Sequence, residues 1–136
     1  MTWSEAITLP SLTLAYIGDG VYEMAVRRYL VAKGVRKPDQ LHHDAVNFVK
    51  ATFQSNFYQE LLPILTEGEL AVLKRGRNSR SGHQPKNTEV VDYRRATAVE
   101  ALVGALYLGD RQERLDTVFQ LLYAFIENTQ SQGEEE

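Results

Sequence analysis

Apolar residues recur at helical spacing along almost the whole chain. After Pro10 and Ser11, the positions Leu12, Ala15, Tyr16, Val21, Ala25 and Tyr29 run to a stop at Gly34. That is the three-to-four-residue rhythm of a helix closed by a glycine. Pro38 and Asp39 open a second segment, whose apolar positions Leu41, Ala45, Phe48, Val49, Phe53 and Phe57 continue, with breaks, to Leu65. Thr66-Glu67-Gly68-Glu69 has capping-box spacing and predicts a third helix from Glu67 to about Arg75. Arg77 to Thr88 is rich in Asn, Ser, Gly and Pro and reads as a loop. A long helix follows from about Glu89 to Leu108, stopped at Gly109. Asp110 and Glu113 repeat the capping spacing ahead of a last helix to about Asn128, and residues 130–136 read as a frayed acidic tail. With no alternating strand pattern, repeat or linker, the expectation is a single all-α domain over residues 1–136.

Composition narrows the function classes. A chain of 136 residues can bury a real core, and 43% hydrophobic with 24% charged residues excludes a disordered chain. The absence of cysteine removes disulfide scaffolds and thiolate chemistry and fits a cytoplasmic location. The first residues lack a basic stretch followed by an apolar core, so no secretory signal is expected. The apolar runs break too soon for a membrane span.

The net charge of −3 argues against a polyanionic partner until its distribution is considered. Lys74 to Arg95 holds seven bases and two acids, a +5 segment on a body of −8. Local potential, not net charge, steers a polyanion. The bland reading of Lys74-Arg75-Gly76-Arg77-Asn78 and the residues through Asn87 is a solvated loop. The functional reading is a grip on nucleic acid, in which Lys74, Arg75, Arg77, Arg80 and Lys86 contact phosphate and Asn78 and Asn87 contact sugar or base edges. No aromatic residue interrupts the loop, so a duplex held by its backbone suits it better than stacked single strands.

Two carboxylates stand alone in apolar surroundings. Asp19 is the only charged residue between Ala6 and Tyr22, and Glu100 the only one from Ala96 to Leu108. Each is expected to be buried, and a buried carboxylate needs a strong partner. Each could pair with an arginine or cap a neighbouring helix. Yet no Lys or Arg is embedded beside either, and two convergent carboxylates without a counter-cation suit a hard ion such as Mg²⁺. Gly18 and Gly20 flank Asp19. Glycine within a helix costs roughly 1 kcal/mol against alanine, so close approach of a second helix or a ligand is the expected reason. Glu23 shares the Asp19 face but also lies four residues before Arg27, and the structural pairing is favoured. His42, His43 and His83 lack metal-ligand spacing, and no phosphate-cradling glycine motif occurs.

Leu14 to Glu23 (LAYIGDGVYE) resembles the signature helix of the ribonuclease III family, and Thr97 to Leu108 (TAVEALVGALYL) resembles that family's second acidic helix. RGRN from Arg75, PKN from Pro85 and YRRAT from Tyr93 resemble the short subgroup called Mini-ribonuclease III. The resemblance runs from about Leu9 to Gln130. It implies an all-α symmetric homodimer that hydrolyses double-stranded RNA with Mg²⁺, or Mn²⁺ in its place, and matures precursor large-subunit ribosomal RNA. It assigns Asp19 as the catalytic aspartate and Glu100 as the metal-binding glutamate. Ala15 and Thr97 stand where full-length ribonuclease III has two more carboxylates, and the separate RNA-binding domain has no counterpart. The alternative is a non-catalytic duplex-RNA or ribosome-binding module on the same fold. A helical nucleotide pyrophosphatase would call for an E-x-x-E array that the apolar helices lack.

Overall fold

The computed structural model describes residues 1–79 and 89–135, with side chains to residue 130. Its helices are α1 (Trp3–Ala6), α2 (Ser11–Ala32), α3 (Pro38–Val49), α4 (Ala51–Leu61), α5 (Glu67–Asn78), α6 (Val90–Leu108) and α7 (Gln112–Glu135), with a 3₁₀ turn at Leu62–Ile64. No strand occurs among the described residues.

The organisation follows from α6. Ala96 to Leu106 is apolar on every face apart from Thr97 and Glu100, and all of it but Glu100 is buried. A helix without a polar face must be wrapped by others. Here α2, α4 and α5 surround it, and α7 closes the far side through Leu115, Val118, Leu122 and Ile126. Tyr22, Val26, Phe57, Leu61, Leu73, Leu102 and Leu106 fill the space between, each almost fully buried.

The boundaries agree with the apolar pattern where a cap enforces them. Thr66 Oγ1 accepts from Glu69 N at 3.2 Å and Glu69 Oε1 accepts from Thr66 N at 3.0 Å, the expected capping box. Glu69 also takes a bidentate pair from Arg114, at 2.7 and 2.8 Å, which ties the start of α5 to α7.

Four features depart from the pattern. Thr2 and Glu5 form a second capping box on α1, a helix too short to show periodicity. Lys50 leaves the helical region (ψ 154°) and splits α3 from α4 without a glycine or proline to announce it. Asp110 does not cap the last helix: it takes a left-handed φ of 56° at the end of α6, and its carboxylate accepts from the Met1 amino group at 3.2 Å. Finally, α7 continues to Glu135 rather than ending near Asn128.

Candidate active site

The crossing of α2 over α6 brings the two lone carboxylates together. Gly18 on α2 lies directly on the backbone of Glu100: a Cβ built there would fall 1.6 Å from the Glu100 carbonyl oxygen. Gly104, one helical turn along α6, lies reciprocally on α2, where a Cβ would come 1.9 Å from the Leu14 carbonyl oxygen. Only hydrogen at both positions lets the backbones approach this closely. Close packing is thus the reason for Gly18. A Cβ at Gly20 would meet no other element within 4 Å among the described residues, so this glycine needs another explanation.

Gly18 touches the Glu100 backbone, so the crossing brings the next residue, Asp19, close enough for its charge to act on the Glu100 carboxyl. Glu100 is half-buried. Burial, and then the neighbouring Asp19, push its carboxyl up to about 8, while the Gln54 amide favours the ionised form. Neither carboxylate has an ion pair among the described residues.

Asp19 itself is exposed, which corrects the expectation that both groups are buried. The apolar residues around it in sequence do not all face the core: Tyr16 is 80% exposed and Met24 56%. The polarity of the site is therefore graded, with an outer carboxylate on α2 and an inner one on α6.

The surroundings are structural. Tyr22, one turn past Asp19, donates to the Phe48 carbonyl at 2.6 Å. Burial and the Glu100 charge hold its hydroxyl protonated far above the ordinary tyrosine range. Glu23 pairs with Arg27 at 3.7 Å, the structural role expected of it. Ala15 is buried, and Thr97 Oγ1 donates to the Tyr93 carbonyl at 3.0 Å, so neither extends the oxygen cluster. No group of three or more His, Asp or Glu side chains able to hold a metal occurs among the described residues. Two neighbouring carboxylates and a buried, unpartnered amide oxygen on Gln54 fit an ion that keeps much of its own water, as Mg²⁺ does.

The basic residues divide. Lys74 and Asn78 are exposed on α5. Arg77 Nη1 donates to the Tyr58 hydroxyl at 3.1 Å, and Arg95 lies over the Tyr58 ring at 5.4 Å. Tyr58 is one turn from Gln54 on α4, so this cationic pair sits one turn along from the carboxylates' neighbour. Arg75 is different. Its Nη1, Nη2 and Nε donate to the Ile7 carbonyl at 2.7 Å, the Leu9 carbonyl at 2.9 Å and Ser11 Oγ at 3.0 Å. That guanidinium clamps the segment ahead of α2 onto α5, which corrects its reading as a phosphate ligand. Arg80, Lys86, Asn87 and His83 lie outside the described residues, and His42 and His43 are exposed on α3.

Sequence reasoning missed Gln54 and Arg95. A signal for Gln54 was present: it occupies a core-facing place in the stripe Phe53, Phe57, Tyr58, Leu61, where an apolar residue belongs.

Comparison with known proteins agrees with this geometry. The Ribonuclease III domain family matches residues 12–111, the span of α2 to α6 that builds the site. The Mini-ribonuclease 3 of Brevibacillus brevis is 48% identical, over 85% of this chain and 87% of its own length. That of Symbiobacterium thermophilum is 43% identical, over 96% of this chain and 100% of its own. The X-ray crystal structure of a Fusobacterium nucleatum protein superimposes with a TM-score of 0.73 at 30% identity, covering 82% of this chain and 89% of that one. The chain therefore belongs to the ribonuclease III family, in its Mini-ribonuclease 3 branch.

Proposed function

We propose that this protein is a divalent-metal-dependent endoribonuclease that cleaves double-stranded RNA, with Asp19 and Glu100 as its metal-binding and catalytic carboxylates. The observation that carries the reading is the Gly18–Gly104 crossing, which sets two otherwise unpaired carboxylates side by side. No ion pair among the described residues accounts for a half-buried glutamate beside an aspartate, and neighbouring like charges oppose folding.

A bound divalent cation supplies Lewis-acid polarisation of the scissile phosphate and lowers the pKa of water. The chain supplies the rest. Glu100, fixed on the most buried helix, is the rigid oxygen donor. Asp19, exposed on α2, is the donor that meets both cation and substrate. Asp19 and Glu100 would be the residues that hold the cation, and Ala15 and Thr97 would add no further charge to the site. Lys74, Arg77, Asn78, Arg80, Lys86 and Asn87 form the backbone grip. Its test is the salt dependence of binding. Alanine at Lys74, Arg77, Arg80 and Lys86 together flattens the slope of log affinity against log salt by roughly 0.7–0.9 for each phosphate no longer neutralised. An unchanged slope reassigns the loop as a solvated connection. Arg75→Ala loosens the amino-terminal segment instead, and registers in thermal melting.

A second copy of the chain completes the enzyme. Leu12, Tyr16, Gly20 and Met24 recur every four residues along one face of α2, and all four are exposed, although Asp19 adjoins them. That apolar stripe next to the site supports an isologous dimer about a two-fold axis, which gives one site for each strand of a duplex. Precursor large-subunit ribosomal RNA is the substrate the branch suggests. No described helix is long and apolar enough to cross a membrane, and the cytoplasm, where such precursors are made, is the proposed location.

One experiment addresses function and assembly together. A duplex RNA labelled on either strand is incubated with protein at micromolar concentration, with Mg²⁺ or with EDTA, beside sedimentation of the same sample. Cleavage of both strands, only with Mg²⁺, by a dimer is the expected result. Binding without cleavage in either buffer is the outcome of a non-catalytic module, and both strands cut by a monomer at full rate ends the paired-site reading.

A further inference from the structure

Gln54 is an amide in a place built for hydrocarbon. It lies on the face of α4 turned to α6, between Phe53 and Phe57, and is 3% exposed. Its Nε2 donates to the Val49 carbonyl at 2.8 Å, bridging the break between α3 and α4. Its Oε1 is buried and has no partner among the described residues. Buried acceptors are almost always satisfied, because an unmade bond leaves the full cost of desolvation. The Val49 bond accounts for the nitrogen and leaves the oxygen unexplained. The same amide lies close enough to Glu100 to act on its carboxyl.

We propose that Gln54 is a positioning residue of the carboxylate site: its amide holds Glu100 for cation binding, and its unpaired Oε1 accepts from water that accompanies the cation. This rests on the metal-dependent reading above and deepens it. A cation held by only two carboxylates keeps most of its waters, and those waters need acceptors. Second partners of this kind orient the charged ligands, and their loss typically lowers metal affinity 10- to 100-fold. Gln54 offers such an oxygen without a third negative charge beside Asp19 and Glu100. A cap on α3 alone, the structural alternative, requires only the donor half of the amide.

The test uses Gln54→Leu, which keeps the bulk and removes both polar atoms, and Gln54→Glu, which keeps an oxygen and adds charge. Mn²⁺ binding to RNA-free protein is followed by the spectrum of the free ion in electron paramagnetic resonance. The Mg²⁺ concentration for half-maximal cleavage and the rate at saturating Mg²⁺ are measured beside it. Gln54→Leu is expected to weaken Mn²⁺ binding and raise the Mg²⁺ requirement by about 10- to 100-fold, with most of the rate recovered at saturation. Gln54→Glu is expected to bind Mn²⁺ more tightly while melting at lower temperature in EDTA. That opposite sign, which a cap on α3 does not produce, carries the test if Gln54→Leu fails to fold. A Gln54→Leu protein that melts lower yet binds Mn²⁺ like the wild type, or a Gln54→Glu protein that gains no affinity, overturns the proposal. An Asp19→Asn variant that binds Mn²⁺ as tightly as the wild type overturns the carboxylate site itself, and this role with it.

Discussion

Asp19→Asn and Glu100→Gln each abolish cleavage of duplex RNA while leaving the protein folded. A metal's stabilisation of developing phosphate charge is worth several kcal/mol, so losing one of only two carboxylates lowers the rate on the order of 10³-fold or more. Neither change removes a bond that the fold depends on, because the carboxylates oppose each other. Glu100→Gln in fact stabilises the metal-free protein, with a defined pH signature. The Glu100 carboxyl, ordinarily 4.5, is pushed up to about 8 in the folded state, first by burial and then by Asp19. Below about pH 4.5 both folded and unfolded chains hold the proton, and the group makes no difference. Between 4.5 and 8 the unfolded chain releases a proton that the folded chain retains, so stability declines as pH rises and the full loss is present above 8. The glutamine has no such dependence. Its advantage in melting temperature over the wild type therefore widens from pH 5 to pH 9 in EDTA. A gap that stays constant over that range rejects the pressed-together carboxylates, and near-normal cleavage by folded Asp19→Asn rejects the catalytic assignment.

The carboxylates were legible in the sequence because charge is conspicuous in an apolar stretch. Which of them is buried was not. Periodicity shows that α2 is apolar on more than one face, but not which face the chain itself covers. The chain covers Leu14, Gly18 and Tyr22 and leaves Leu12, Tyr16 and Met24 in the open. For α6 the same ambiguity resolves the other way, into a helix wrapped almost completely. Capping chemistry is local, so Thr66 and Glu69 marked the start of α5 correctly. At Asp110 the same spacing misled, because the backbone there takes a left-handed turn and the side chain meets the amino terminus, 109 residues away in sequence. Arg75 shows the same limit. In sequence it belongs to a basic run, and only the tertiary fold delivers the Ile7 and Leu9 carbonyls that occupy it. Gln54 was hidden by its neutrality. An amide among aromatic residues stands out only once its helix face is known to be core.

The largest structural effect is expected at the helix crossing. Gly104→Ala brings a methyl group to 1.9 Å from the Leu14 carbonyl oxygen, and Gly18→Ala to 1.6 Å from that of Glu100. Both obstacles are backbone atoms of long helices, so no side-chain rotation relieves the clash and α2 must move away from α6. Overpacking a core typically costs about 1–3 kcal/mol and occasionally more. Here the displacement runs along the main helix–helix contact of a domain whose whole stability is on the order of 5–15 kcal/mol. Each substitution is therefore expected to remove several kcal/mol in urea denaturation. Each also draws Asp19 away from Glu100, so cleavage falls further than the folded fraction does. Gly20→Ala supplies the internal control. No other helix among the described residues comes within 4 Å of the added methyl group, and helix propensity alone favours alanine by about 1 kcal/mol. Measured on dilute, monomeric protein, that variant gains stability. If the proposed dimer forms at higher concentration, a loss there at Gly20→Ala reports a second copy resting on the Leu12–Tyr16–Met24 face. If Gly18→Ala and Gly104→Ala melt like the wild type, α2 and α6 do not meet backbone to backbone, and the geometry that joins Asp19 to Glu100 fails with them.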